Sequence, residues 1–134
     1  MKHSSEIAFG VGLAGAIVLF AQFLTDEQTI EFFAIVLAVI ASIYVGFALS
    51  DGRLREIAIE VFTAIIFGIC ALAGLWVFPI ALPIGYIAHG FWDMVHHQHG
   101  IKTKVIDWYI PFCVVVDWLL GAYLIFWLMT SSNV

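Results

Sequence analysis

Charge is scarce in this chain. Its 134 residues include five Lys or Arg and ten Asp or Glu, 11% charged in all, where a soluble globular domain carries about 25%. With so few basic residues and a formal net charge of -5, the chain lacks the basic footprint of a nucleic-acid binder. Cysteine is scarcer still. Cys70 and Cys113 stand alone, too few for a disulfide-stapled secreted scaffold; inside apolar runs they read as small apolar fillers, with no disulfide expected. Proline is confined to Pro79, Pro83 and Pro111, which leaves long stretches free to run as unbroken helix. No Walker loop, Rossmann glycine fingerprint or nucleophile elbow occurs. Repeats, low-complexity tracts and linkers are missing as well, so residues 1–134 read as one domain.

What fills the chain is apolar. Hydrophobic residues make up 63% of it and the mean hydropathy is +1.07, which points to an integral membrane protein. A helix needs about 20 residues to cross a hydrocarbon core of about 30 Å. Five stretches approach that length: Ile7 to Leu24, Ile30 to Leu49, Ile57 to Phe78, Ile80 to His97, and Ile110 to Met129. The expected fold is therefore all-α, a polytopic membrane helical bundle of five transmembrane helices. The fourth stretch is short, with Pro79 and Pro83 near its start, where proline is best tolerated. Thr25 to Gln28 has the Thr-x-x-Gln form of a capping box, and Ser50, Asp51, Gly52 and Arg53 mark the next turn. The first stretch reads as a retained span rather than a signal peptide, because no small-residue cleavage site is followed by a soluble chain. Gly10, Gly12 and Gly15, and Ala64 with Gly68, are small residues suited to close helix contact.

Basic residues mark cytoplasmic loops. With five spans, Lys2, Arg53, Arg55, Lys102 and Lys104 fall on one side, while Asp26, Glu27 and the uncharged Ser131 to Val134 fall on the other. The expected topology has the N-terminus cytoplasmic and the C-terminus outside, in a multi-pass protein of the cell membrane. Trp92, Trp108, Tyr109 and Trp118 fit an aromatic belt near the basic face.

Against this background one segment stands out. His89 to His99 holds four of the five histidines and Asp93. On a helix His89, Asp93 and His97 follow at i, i+4 and i+8, with His96 beside them, and line one stripe. With the interface near His97, the helical rise puts Asp93 about 6 Å and His89 about 12 Å deep. On the neighbouring spans Glu60 lies about 6 Å and Asp117 about 9 Å from the same side. An intramembrane carboxylate is costly and usually has a partner or a function. Imidazole and carboxylate at helical spacing suit a divalent transition metal such as zinc or iron. The candidate ligands are His89, Asp93, His96 or His97, and Asp117. The competing reading is a buried polar network that locks helices together without an ion. Glu60 could instead pair with Arg53 or Arg55 or reach the nearby interface. His3 and His99 read as amphipathic residues of the rim, Glu31 as a solvated residue near a helix start, and Asp107 as loop or cap.

The run from Gly85 to His97, with its His-x-x-Trp-Asp-x-x-His-His core at His89, Trp92, Asp93, His96 and His97, is followed by Asp117 in an apolar helix ending in Phe126 and Trp127. It resembles the domain of unknown function 6010 family, small uncharacterised integral membrane proteins. The likeness covers about the last 50 residues, from Gly85 on. The resemblance implies a shared polar site at His89, Asp93, His96, His97 and Asp117, and implies no reaction. The Asp93 to His97 stretch is also similar to the histidine box of membrane desaturases, but five histidines are too few for such a di-iron site. Bis-histidine haem is disfavoured because the intramembrane histidines share one helix.

Two classes of function follow. In one, a metal-bound water is activated near the cytoplasmic face, with Asp93 and Glu60 as catalytic carboxylates and Glu60 as general base toward a lipid-like substrate, hydrolysis being the first expectation. In the other, the chain is a non-enzymatic membrane module: an ion- or proton-handling protein, or a small subunit of a larger complex. The expected partners are the lipid bilayer and a lipidic small molecule, with a homo-oligomer or larger membrane complex left open and no nucleic acid.

Overall fold

The computed structural model describes residues 3–97 and 101–131, and among them every regular element is a helix. Five follow in order: α1 (Ser4–Ala21), α2 (Asp26–Asp51), α3 (Leu54–Trp76), α4 (Ala81–His97) and α5 (Tyr109–Thr130). The local chemistry sets their ends. The α2 start is a full capping box, with the Thr25 hydroxyl accepting from the Gln28 backbone and the Gln28 side chain accepting from the Thr25 backbone. Its last turn closes on Gly52 at φ 79°, a left-handed position that glycine adopts without strain. Pro83 sits in the first turn of α4, where a missing N–H costs no helical hydrogen bond.

Four helices, α1, α2, α3 and α5, are long and apolar enough to cross a membrane. The fourth expected span is the exception, since α4 has 17 residues, below the length of about 20 that a membrane crossing needs. The burial pattern is inverted relative to a soluble bundle. Phe23, Met129, Phe9 and Trp76 are 87%, 81%, 75% and 73% exposed, while Glu60, His89, Asp93 and Asp117 are buried. Such a surface is compatible with lipid and unfavourable in water.

Helix α4 is central, packing against α5 most extensively and against α3 and α2 as well, while α1 lies against α5. Its buried stripe runs through Leu82, Gly85, Tyr86, His89, Asp93 and His96, and the opposite face, Ile84, Ala88, Phe91 and Val95, is exposed. One stripe thus changes from apolar to ionisable along its length. Gly85 lets α4 approach closely: a Cβ there would lie 2.6 Å from Leu37 Cδ2 of α2 and 3.0 Å from Cys70 Sγ of α3. Tyr86 adds a tie by donating its hydroxyl to the Phe33 carbonyl at 2.7 Å.

At the His97 end of α4 the connections are linked. Asp51 pairs with Arg53 at 2.6 Å and with Lys104 at 3.7 Å. Arg53 also donates to the Lys102 carbonyl. The α2–α3 turn is thereby joined to the α4–α5 connection. The His3 ring meets the His97 ring at 6.4 Å, so the start of α1 lies at the same end.

Candidate metal centre

Helices α4 and α5 each deliver two polar side chains, one turn apart, to a common point. His89 and Asp93 come from α4, and Cys113 and Asp117 from α5. His89 Nδ1 lies 2.7 Å from Asp117 Oδ2 and 3.6 Å from Asp93 Oδ1. Cys113 Sγ lies 3.9 Å from the same Asp117 oxygen. One donor atom from each of the four falls within 4.8 Å of every other. All four residues are buried. Around them, α3 places the Phe67 ring edge-on at 4.8 Å from His89, and α2 brings Tyr44, whose hydroxyl donates to Asp93 Oδ1 at 2.6 Å.

The satisfaction of these groups is incomplete. Asp93 Oδ2 and Asp117 Oδ1 are buried without a hydrogen-bond partner, and a buried unpaired polar atom costs about 1–3 kcal/mol, more for a charged one. Two neighbouring carboxylates away from water also need a counter-charge, whether a proton, an imidazolium or a metal cation. Bound as a thiolate, Cys113 would add a third negative charge to those of the two carboxylates, and a divalent ion would offset two of the three. The mixed nitrogen, oxygen and sulfur set suits zinc or iron. Ligands at the usual bond lengths of a tetrahedral ion stand about 3.5 Å apart, close to the 3.6 and 3.9 Å separations, whereas His89 and Asp117 at 2.7 Å are hydrogen-bonded to each other and would have to part to admit an ion. With that adjustment the four residues could hold such an ion.

A second buried pair lies beside the first. His96 Nε2 stands 2.7 Å from Glu60 Oε1, and its Nδ1 stands 3.0 Å from the Trp92 carbonyl. A carbonyl only accepts, so Nδ1 carries a proton and donates. Nε2 then faces a carboxyl group across a short contact that also needs a proton. The pair therefore holds one proton between imidazole and carboxyl. Thr103 donates its hydroxyl to the same Glu60 oxygen at 2.7 Å. Tyr44 adjoins both pairs, its ring stacked on His96 at 4.2 Å and 23° while its hydroxyl reaches Asp93.

Of the residues proposed from the sequence, His89, Asp93 and Asp117 are thus brought together. His96 turns inward to Glu60 instead of joining them, and Glu60 serves His96 and Thr103. Neither Arg53 nor Arg55 takes Glu60, since Arg53 pairs with Asp51 and Arg55 lies 3.6 Å from Glu56. His97 is exposed, turned about 100° around the helix from buried His96. His99 lies outside the described residues. Cys113, a small apolar filler by sequence alone, occupies the position four before Asp117 on the same helical face, and that spacing is the signal that marks it. Tyr44 and Thr103 carry no signal, because Tyr44 lies in a largely apolar helical stretch with no ionisable neighbour within a turn and Thr103 sits in a connection.

The chain belongs to the family described as a family of unknown function, DUF6010, which it matches over residues 5–131. The likeness is therefore not confined to about the last 50 residues; it takes in α1 as well as α2 and α3, which supply Tyr44 and Glu60 respectively. No curated protein and no solved structure matches the chain.

Proposed function

We propose that the chain is a multi-pass cell-membrane metalloprotein whose His89, Asp93, Cys113 and Asp117 hold one divalent transition metal ion, zinc or iron, and that it hydrolyses a lipid-like substrate. The observation that carries the metal is the convergence of four buried donor groups within 4.8 Å, two of them with an unpartnered carboxylate oxygen. Four protein ligands fill a tetrahedral ion, so catalysis requires one of them to give up its position, after which the ion would polarise a substrate oxygen or lower the pKa of a water held there to about 7. Tyr44 orients Asp93 through its hydroxyl, as outer hydrogen bonds commonly orient metal ligands. Glu60 and His96, which hold a proton between them at the end of α4 nearest the basic residues, are the groups suited to exchange protons with a substrate arriving from that side. In this reading α4 is the fifth span, and the N-terminus is cytoplasmic.

Metal analysis of the detergent-purified protein tests the reading, with wild type beside His89→Ala, Asp93→Ala and the milder Cys113→Ser. Stoichiometric metal in the wild type and its loss in folded variants is expected. Metal-free wild-type protein that resists loading with zinc and with ferrous iron would remove the basis for the enzyme. Turnover is tested separately, as metal-dependent release from a fluorogenic lipid ester.

A second reading rests on Tyr44, which links the two histidine–carboxyl pairs. Under it the pairs handle protons without an ion. Metal-free protein that conducts protons in liposomes, with conduction lost in Tyr44→Phe, would select it.

A further inference from the structure

Between the start of α1, the end of α4 and the α4–α5 connection lies a cavity of about 550 Å³, within the range of about 300–1,000 Å³ typical of small-molecule sites. Its inner end is formed by the buried His96 and Thr103, the residues that hold Glu60. Its outer part carries His3, His97, Lys102 and Lys104. Asp107 is the one carboxylate among the described lining residues, and Ile101, Val105 and Ile110 supply an apolar wall.

The electrostatics of this lining favour an anion. Lys104 is shared with Asp51 at 3.7 Å, and Arg53 is engaged by Asp51 and the Lys102 carbonyl. Exposed Lys102 and His97 remain at the mouth. His3 adds a buried ring nitrogen, Nδ1, without a hydrogen-bond partner. Ammonium groups with imidazole N–H donors form a set suited to phosphate oxygens, where lysine acts as a point charge. The cavity also lies where three helices end or begin, at headgroup level for helices that span a bilayer, and basic pockets at that level take phosphate headgroups. Exposed Ile106 and Trp108 stand beside it in the α4–α5 connection, on the way to lipid.

We propose that this cavity is a binding site for a phosphate ester group, with Lys102 and His97 as its principal contacts. The site does not depend on the metal centre. Titrating the full-length detergent-solubilised protein with dihexanoyl phosphatidic acid, and separately with inorganic phosphate, while following tryptophan fluorescence, tests it. Saturable binding is expected, weakened at least about 5-fold, or about 1 kcal/mol, in Lys102→Ala and in His97→Ala and retained in Lys102→Arg. Both alanine changes lie at exposed positions. Tighter binding of the lipid than of inorganic phosphate would identify a membrane phospholipid as the source. Equal binding would identify a water-soluble phosphate ester, and either result supports the site. Failure of both probes to saturate would overturn it, as would wild-type binding in both alanine variants. Cys113→Ser is expected to bind phosphate normally. Phosphate binding lost there but kept in Lys102→Ala would move the ligand to the buried centre and also overturn the proposal.

Discussion

Tyr44 touches both buried histidine–carboxyl pairs, and each contact makes its own demand on the side chain. The hydroxyl donates to Asp93 Oδ1 at 2.6 Å, whereas the ring needs only its face to stack on His96. Phenylalanine keeps the second and loses the first. Tyr44→Phe is therefore expected to leave the fold in place and to weaken zinc binding by about 10–100-fold, the usual effect of deleting an outer hydrogen bond to a metal ligand; isothermal titration of the two proteins would show unchanged affinity if Asp93 is not a ligand. At Glu60 the expectation concerns stability. Glu60→Ala strands His96 Nε2 and the Thr103 hydroxyl, and a stranded buried group costs about 1–3 kcal/mol, so the thermal transition in detergent should fall. Glu60→Gln can donate its amide to a neutral His96 Nε2 and should recover most of that loss, and equal transitions for the two variants would contradict the pairing. The sequence makes part of this site legible. His89, Asp93 and Asp117 stand out because a carboxylate or imidazole in an apolar helix has few explanations, and helical rise alone places them at similar depth. Cys113 does not stand out, because a buried thiol is as much a small hydrophobe as a ligand. Which of His96 and His97 turns inward depends on the rotation of α4, fixed by its packing on α2, α3 and α5, and that is a tertiary fact.

Between helices, small residues decide how closely backbones approach, since lipid offers no hydrophobic gain from association. Gly10, Gly12 and Gly15 look alike in the sequence, yet they differ in the structure. A Cβ at Gly10 would stand 2.9 Å from the Phe112 backbone oxygen of α5, whereas Gly12 and Gly15 have nothing within 4 Å. Backbone cannot swing aside as a side chain can, so Gly10→Ala forces α1 away from α5. Overpacking of this kind costs about 1–3 kcal/mol. Gly12→Ala meets no neighbour and should be neutral or stabilising by up to about 1 kcal/mol through helix propensity. Unfolding in mixed micelles would measure the difference, and equal stabilities for the two variants would refute the close contact. The length of the apolar runs and capping chemistry make the helices themselves readable: the Thr25–Gln28 box forms as its spacing requires. The contacts among them depend on partners distant in the chain, such as Phe112 for Gly10, which no local pattern encodes.

At the scale of the whole molecule, α4 decides how many times the chain crosses the membrane. Its 17 residues span about 26 Å, somewhat short of a hydrocarbon core of about 30 Å. The contacts at its end bear on this. Chain leaves the Arg53 end along α3 and reaches Trp76, yet Lys102 and Lys104 lie beside Arg53 and Asp51. Between Trp76 and Lys102 the chain must therefore travel back the length of α3, and α4 is the element that covers the distance. If α3 crosses, α4 with the turn before it returns. The described basic residues Arg53, Arg55, Lys102 and Lys104 then share one face, which the positive-inside rule would assign to the cytoplasmic side. The measurement is labelling of intact cells with a membrane-impermeant thiol reagent, using Lys102→Cys and Glu27→Cys, both at exposed positions. Native Cys113 is buried and Cys70 half-buried, so the unmodified protein supplies the background. Glu27→Cys should react from outside, and Lys102→Cys only after the membrane is permeabilised. Reaction of both from outside would leave α4 without a crossing. The reverse pattern would keep five spans but place the phosphate cavity and the His96–Glu60 pair on the outer face, where a substrate from the cytoplasmic leaflet could not reach them.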